Sequence, residues 1–227
     1  MSTSDVVLVA TTIFLFFLAI FGEWLKGLVF KPRLQISIDG SPPDCIKIPF
    51  VLPGKNGQVL EVAESYFLRL RIANSGNRTA KDVEVRIEQL REELPDEQLA
   101  VVQSFLPMNL RWSDIGGSVL AQLAPHGMYR HCDLAHIIDP SQVQRFPGEH
   151  KRWPAPLPAN GAVLSFDTIV KPASQCYLVP PGTYHIDLAA GAANAKPTRQ
   201  TIKVILTGRF HSEPTGMFQV GVRFLSS

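Results

Sequence analysis

The chain has 227 residues, a formal net charge of +2, 45% hydrophobic and 19% charged residues. That near-neutral balance leaves no electrostatic footprint for nucleic acid, and the proportions are those of a folded domain carrying one apolar segment rather than of a disordered chain. Cys45, Cys132 and Cys176 are odd in number and lack paired spacing, which fits free thiols in a reducing compartment and not a disulfide framework.

The first element is the uncharged run of residues 6–22, VVLVATTIFLFFLAIFG. At ~1.5 Å per residue it lies at the short end of what crosses hydrocarbon as a helix. Leu25, Leu28, Val29 and Phe30 lengthen the apolar surface, Glu23 and Lys26 pair at i, i+3, and Pro32 stops the helix by disfavouring helical geometry at Lys31. Residues 1–33 are therefore predicted to be a single transmembrane helix with its juxtamembrane segment, with Trp24, Lys26, Lys31 and Arg33 at the membrane interface. A cleaved signal peptide wants basic residues before the run and a small-x-small site after it, and this chain has neither. A buried core helix wants a polar face, and every face here is apolar. Lys26, Lys31 and Arg33 follow the run while no cation precedes it, so the C-terminal side is expected in the cytoplasm. The sequon Asn77-Arg78-Thr79 points the other way.

Residues 34–227 are predicted to form one β-rich domain, about 190 residues being enough for a core. LQISI (34–38) alternates as a strand entering directly from the helix. Ser41-Pro42-Pro43-Asp44 breaks it, and residues 46–52 carry Pro49 as an edge strand would. A turn cluster at 53–57 comes next. In YFLRLRI, Tyr66, Leu68, Leu70 and Ile72 share one face and Arg69 and Arg71 the other; Asn74-Ser75-Gly76-Asn77 are turn residues suited to positive φ; and Val83, Val85 and Ile87 point inward from the next strand.

The stretch YFLRLRIANSGNRTAKDVEVRI, within residues 66–88, resembles the strand, Asn-x-Gly-containing loop, Ala and strand of bacterial immunoglobulin-like modules of the CARDB type. The resemblance implies a mostly β fold, an immunoglobulin-like antiparallel β-sandwich whose 74–80 loop arches between sheets, and it implies no activity. If the loop is instead a simple hairpin, Arg69 and Arg71 pair with Glu84 and Glu88 across the strands.

Pro95-Asp96-Glu97 suits the first turn of a short helix running to Phe105, and residues 109–112 return to strand. His126, His131, Cys132, Asp133 and His136 then crowd into one segment. Cys132, His136 and His131 are zinc-ligand types. In a strand, however, Cys132 and His136 share a face ~13 Å apart, too far for one ion, and no second C-x-x-C or H-x-x-x-H pair exists. The expectation is a half-buried strand with Cys132 and Leu134 inward and no metal or other cofactor.

Residues 139–160 make a long, proline-rich loop in which Arg145, Phe146, Lys151, Arg152 and Trp153 form a candidate partner-binding surface, with anionic lipid as a further candidate ligand. Strands resume at 162–170, buried on both faces, at 183–188 paired with 201–206 around an exposed loop at 191–198, and in a last strand over Phe218, Val220, Val222 and Phe224. The Pro-Gly-Thr-Tyr approach to the strand at 183 is a second resemblance to immunoglobulin-like folds.

No G-x-S-x-G, G-x-x-x-x-G-K, G-x-G-x-x-G or H-E-x-x-H motif occurs. The function expected is that of a single-pass, membrane-anchored, non-enzymatic interaction, scaffold or accessory subunit, with the bilayer and another protein or a second copy as partners. An outward-facing adhesion or ligand-binding module is the first alternative. A metal-dependent enzyme or metal-binding sensor is the second.

Overall fold

A computed structural model describes residues 3–53, 58–143 and 161–226. In helix α1 (Thr3–Val29) the described large apolar side chains between residues 6 and 21 are 40–69% exposed, so none of them faces the core. Its two threonines are satisfied within the helix, Thr11 and Thr12 donating to the carbonyls of Val7 and Leu8 at 2.8 Å. Among the described residues no helix is long and apolar enough to cross a membrane. The side chains of residues 18, 19 and 23–29, Trp24 and Lys26 among them, lie outside the description, so the expectation of a spanning helix rests on the sequence.

Two antiparallel sheets enclose one core. In the first, β5 (Ser65–Asn74) is flanked by β1 (Leu34–Ser37) and β2 (Cys45–Lys47) on one edge and by β11 (Met128–Ile138) on the other; β9 (Arg111–Trp112) and β12 (Leu164–Phe166) pair with β11, and β13 (Leu178–Val179) with β12. In the second, β6 (Ala80–Glu93) pairs on one edge with β7 (Leu99–Val101), β8 (Met108–Asn109) and β10 (Val119–Leu123), and on the other with β14 (Gly182–Ala192), followed by β15 (Ala195–Leu206) and β16 (Val222–Ser226). A separate hairpin joins β3 (Phe50–Pro53) to β4 (Val59–Ala63).

Period-2 alternation explains the core. Tyr66, Leu68, Leu70 and Ile72 of β5 and Val83, Val85 and Ile87 of β6 are all 0% exposed, and Ile186, Leu188, Ile202, Val204 and Leu206 fill the second sheet's inner face. Trp112 plugs the middle, fully buried, its indole N–H donating to the Ser118 carbonyl at 3.1 Å. Tyr66 closes the end away from α1. Its hydroxyl lies 2.9 and 2.7 Å from the carbonyls of His211 and Ser212, Phe210 and Phe218 pack on its ring, and burial pushes its pKa up to about 12.

Several expectations are corrected. The strand expected at 46–52 divides at Pro49: β2 pairs with β5 and β3 turns away to β4, because proline has no N–H to continue the ladder. No helix forms over 95–105; β6 runs on to Glu93 and a turn with Glu97 at φ 63° folds β7 back along it, the Val102 N–H donating to the Leu90 carbonyl at 3.0 Å. The loop expected at 191–198 is almost all strand. Only Ala193 and Asn194 lie between β14 and β15, since Asn194 anchors the turn by accepting the Lys81 N–H at 3.0 Å and donating to the Thr79 carbonyl at 2.9 Å. The last strand starts at Val222, because Pro214 opens a helical turn and residues 217–221 continue it as one π turn that buries Met217.

β5 and β6 lie in different sheets, so residues 75–79 are an arch and not a hairpin, and the Arg69 and Arg71 pairing with Glu84 and Glu88 does not occur. No residue of the arch has positive φ. The fully buried Asn74 organises it: Oδ1 accepts the N–H groups of Gly76 and Arg33 at 3.1 Å each, and Nδ2 donates to the carbonyls of Arg78 and Leu123 at 2.8 and 3.1 Å. Lys31 N–H reaches Asn77 Oδ1 at 3.0 Å. Gly76 is glycine because the backbone leaving α1 crosses it: a Cβ there would lie 2.3 Å from the Lys31 carbonyl oxygen and 2.6 Å from the Arg33 nitrogen. Backbone on both sides leaves nothing to yield, so Gly76→Ala is expected to cost about 1–3 kcal/mol, lowering Tm by roughly 2–10 °C. Thermal melts of the detergent-solubilised full chain check this against Gly191→Ala, whose Cβ meets nothing within 4 Å.

Candidate functional site

The outer face of the first sheet carries the densest polar chemistry. Alternation turns Arg69 and Arg71 of β5 and Tyr129, His131 and Asp133 of β11 away from the core, and Asp44, from the loop before β2, folds over them. Asp44 is 1% exposed, so its charge must be met locally. Its Oδ1 receives Arg71 Nη2 and stands 3.0 Å from His131 Nε2, and its Oδ2 receives the Asp39 N–H at 3.0 Å. Arg71 also stacks on the Tyr129 ring, 4.8 Å from its centroid. Beside this hub Asp133 accepts from Ser113 Oγ at 2.5 Å and from Arg69 Nε at 3.2 Å. Burial pushes the Asp133 carboxyl upward, against the hydrogen bond from Ser113 and the Arg69 charge.

An open groove of about 690 Å³ lies alongside, lined by Arg69, Ser113, Asp114, Tyr129, Arg130 and His131. Each arginine that lines it has a carboxylate of its own, Arg69 with Asp133 and Arg130 with Asp114 at 2.9 Å. The groove is thus internally neutral. It offers alternating donors and acceptors to a polar ligand and concentrates neither sign of charge.

A second cluster sits further along β11. His136 Nδ1 lies 2.8 Å from Asp167 Oδ1, and its ring stacks on Phe50 at 4.9 Å and lies tilted against Phe67 at 5.6 Å between centroids. Ser165 is its neighbour in register on β12. Ser, His and Asp are the residue types of a hydrolytic triad. Here Ser165, His136 and Asp167 are 1%, 1% and 8% exposed beside the β3–β4 hairpin, and a substrate has no open path to them among the described residues.

The zinc-type residues are dispersed, and for a different reason than distance. β11 has a bulge between Asp133 and Ala135, where Leu134 is the extra residue. Cys132 pairs with Leu70 and points inward, while His136 pairs with Phe67 and points outward, so the two do not share a face. Cys132 and Leu134 are both fully buried, and the Cys132 thiol donates to the Arg111 carbonyl at 3.2 Å. Burial raises the pKa of Cys132 and pushes that of Cys45 up to about 12, which keeps both thiols protonated. His185 lies on the other sheet, 2.9 Å from Glu93. Among the described residues no group of three or more His, Cys, Asp or Glu is placed to hold a metal ion.

Arg145, Phe146, Lys151, Arg152 and Trp153, the candidate partner-binding loop, lie outside the described residues. Lys31 and Arg33 are exposed next to the arch. Asp44, Ser165 and Asp167 carried no signal in the sequence: Asp44 stands in a Pro-rich break, and the other two interrupt an apolar run. Compared with known protein families, curated proteins and solved structures, the chain matches none.

This chemistry has two measurable outcomes. Asp44→Ala leaves Arg71, His131 and the Asp39 N–H without their acceptor and is expected to cost about 2–4 kcal/mol, with Arg71→Ala costing less because that side chain is 35% exposed. Denaturant titrations of the two variants measure the difference. Asp133 has a folded-state pKa above its unfolded value, so its contribution is fully present at acid pH and is lost as pH rises through the folded value. Asn mimics the protonated acid. The Tm of Asp133→Asn relative to the natural chain is therefore expected to be higher at pH 7 than at pH 4, measured by thermal melts at the two values.

Proposed function

We propose that the chain is a single-pass membrane protein whose immunoglobulin-like β-sandwich, of the CARDB type, faces the cytoplasm and works without catalysis as an interaction, scaffold or accessory subunit. The observation that carries this reading is the junction. The segment leaving α1 is hydrogen-bonded through Lys31 and Arg33 into the 74–77 arch, and β1 begins at Leu34 with no linker between. A domain so joined presents its outer faces at a fixed distance and attitude to whatever holds the helix, which is the mechanical requirement of an assembly subunit. The exposure of the described apolar side chains of α1 supports a lipid environment, and the basic flank after the run supports the cytoplasmic side. The internally neutral groove supports recognition of a polar surface over chemistry on a substrate. One observation favours the outward-facing alternative: Asn77 of the sequon is exposed.

Affinity capture of the tagged full chain in detergent, in parallel with protease accessibility of the domain in intact cells, tests both parts. A stoichiometric partner that is lost when residues 139–160 are deleted, together with protection of the domain from external protease, is the expected result. Recovery of the chain alone defeats the interaction reading, and cleavage in intact cells moves the domain to the outside.

A further inference from the structure

We propose that the end of the β domain from which α1 emerges is a contact surface for the anionic headgroups of a bilayer, an inference that rests on the membrane-anchor reading above. Segments far apart in sequence meet at this end. The segment 31–33 is bonded into the 74–77 arch. The β10–β11 turn joins it through the N–H groups of His126 and Gly127, which donate to the Gly76 and Asn74 carbonyls at 3.0 and 2.8 Å. The β14–β15 turn joins through Asn194 and through Ala193, whose N–H reaches the Lys81 carbonyl at 2.8 Å.

Their meeting places Lys31, Arg33, Arg78, Lys81 and Lys196 at one end of the molecule, all exposed. Asp82, at φ 51°, departs from strand geometry without shifting the register, and both it and Lys81 are exposed, so its carboxylate stands among these cations. Among the described residues none of the five cations makes an ion pair, whereas Arg69, Arg71, Arg86, Arg91, Arg130 and Arg199 along the strands all do. The opposite end carries Glu92, Asp96, Glu97 and Glu213 together with Arg209 and Arg223, likewise outside any ion pair among the described residues. Among the described residues the cations therefore outnumber the exposed carboxylates of Asp82 and Glu84 at the helix end, and the far end, ~40 Å away along β6, has no such cationic excess.

The field of an anionic leaflet decays within ~8–10 Å of its surface, so it acts on groups at the helix junction and hardly on the far end. Five unpaired cations lie where that field is felt. Phe30 and Met128, 48% and 60% exposed among them, are side chains of the kind that enter the headgroup boundary. An acidic protein fits the charge alone. A bilayer fits the charge, the exposed apolar side chains and the apolar helix leaving from the same place.

The test uses the full chain in lipid nanodiscs of phosphatidylcholine alone, or with about one-third phosphatidylserine to supply the anionic surface. Amine acylation read by mass spectrometry follows Lys81 and Lys196, with Lys47 and Lys203 at the far end as internal standards. The expected result is at least a twofold fall in Lys81 and Lys196 labelling in anionic discs, abolished in about 1 M salt, where the screening length is ~3 Å, and weakened in the double variant Arg33→Gln, Arg78→Gln. Retention on the discs at that salt reports the anchor separately. A chain that stays on both kinds of disc with equal labelling overturns the headgroup surface and leaves the anchor standing. A chain that binds anionic discs alone and is released by salt supports the surface and overturns the anchor. Absence of binding overturns both. Protection that follows protein concentration instead of lipid charge overturns the surface in favour of contact between copies.

Discussion

Everything at the helix end of this molecule depends on one buried carboxamide. Asn74 has two donors and two acceptor positions, and all four are used, to Gly76, Arg33, Arg78 and Leu123. Those partners belong to the segment leaving α1, to both limbs of the arch between the sheets and to β10. A shorter or apolar side chain would leave buried N–H and carbonyl groups without partners, each costing more than an ordinary hydrogen bond contributes. The close crossing at Gly76 has the same origin, because the Asn74 amide draws the 31–33 backbone onto the arch until only hydrogen fits between them. The attachment of the domain to its helix is thereby part of the folded core.

With the interior sealed by alternating strands, polar chemistry is pushed to the two outer faces and the two ends, and these differ. The outer face of the first sheet is crowded but balanced, since Asp44, Asp133 and Asp114 each neutralise an arginine. The outer face of the second sheet holds a comparable set, where Glu88 lies against Arg86 and Arg199, and Glu93 against Lys203 and His185; both carboxyls are held below their usual range by these hydrogen bonds. The helix end, by contrast, carries an excess of unpaired cations among the described residues that the far end lacks. Under the reading proposed above, a domain with balanced faces and one cationic end turns that end to a surface and presents its flanks to something else.

How much of this could be read beforehand depended on the range of the interaction. The strands centred on residues 66–72, 83–87, 184–188 and 202–206 were visible because their inward residues alternate with polar ones, and the physics of a half-buried strand is local. The short helix expected after Pro95 was wrong because a local propensity competed with the free edge of β6, and the ladder won. The face-sharing of Cys132 and His136 failed for a similar reason: one bulged residue reverses the parity of everything after it, and nothing in the local pattern marks Leu134 as that residue.

The sequence by itself therefore determined the apolar character of residues 6–22, the β-rich nature of the chain from Leu34 onward and the inward sets of its long strands, because hydrophobic periodicity is written residue by residue. The tertiary structure alone decided that the 74–77 segment is an arch locked to the helix exit, that Asp44 closes over Arg71 and His131, and that five cations from separate segments share one end. Those outcomes depend on which strands become neighbours, and strand pairing joins residues such as Arg33 and Asn74, or Lys81 and Asn194, that no local pattern connects.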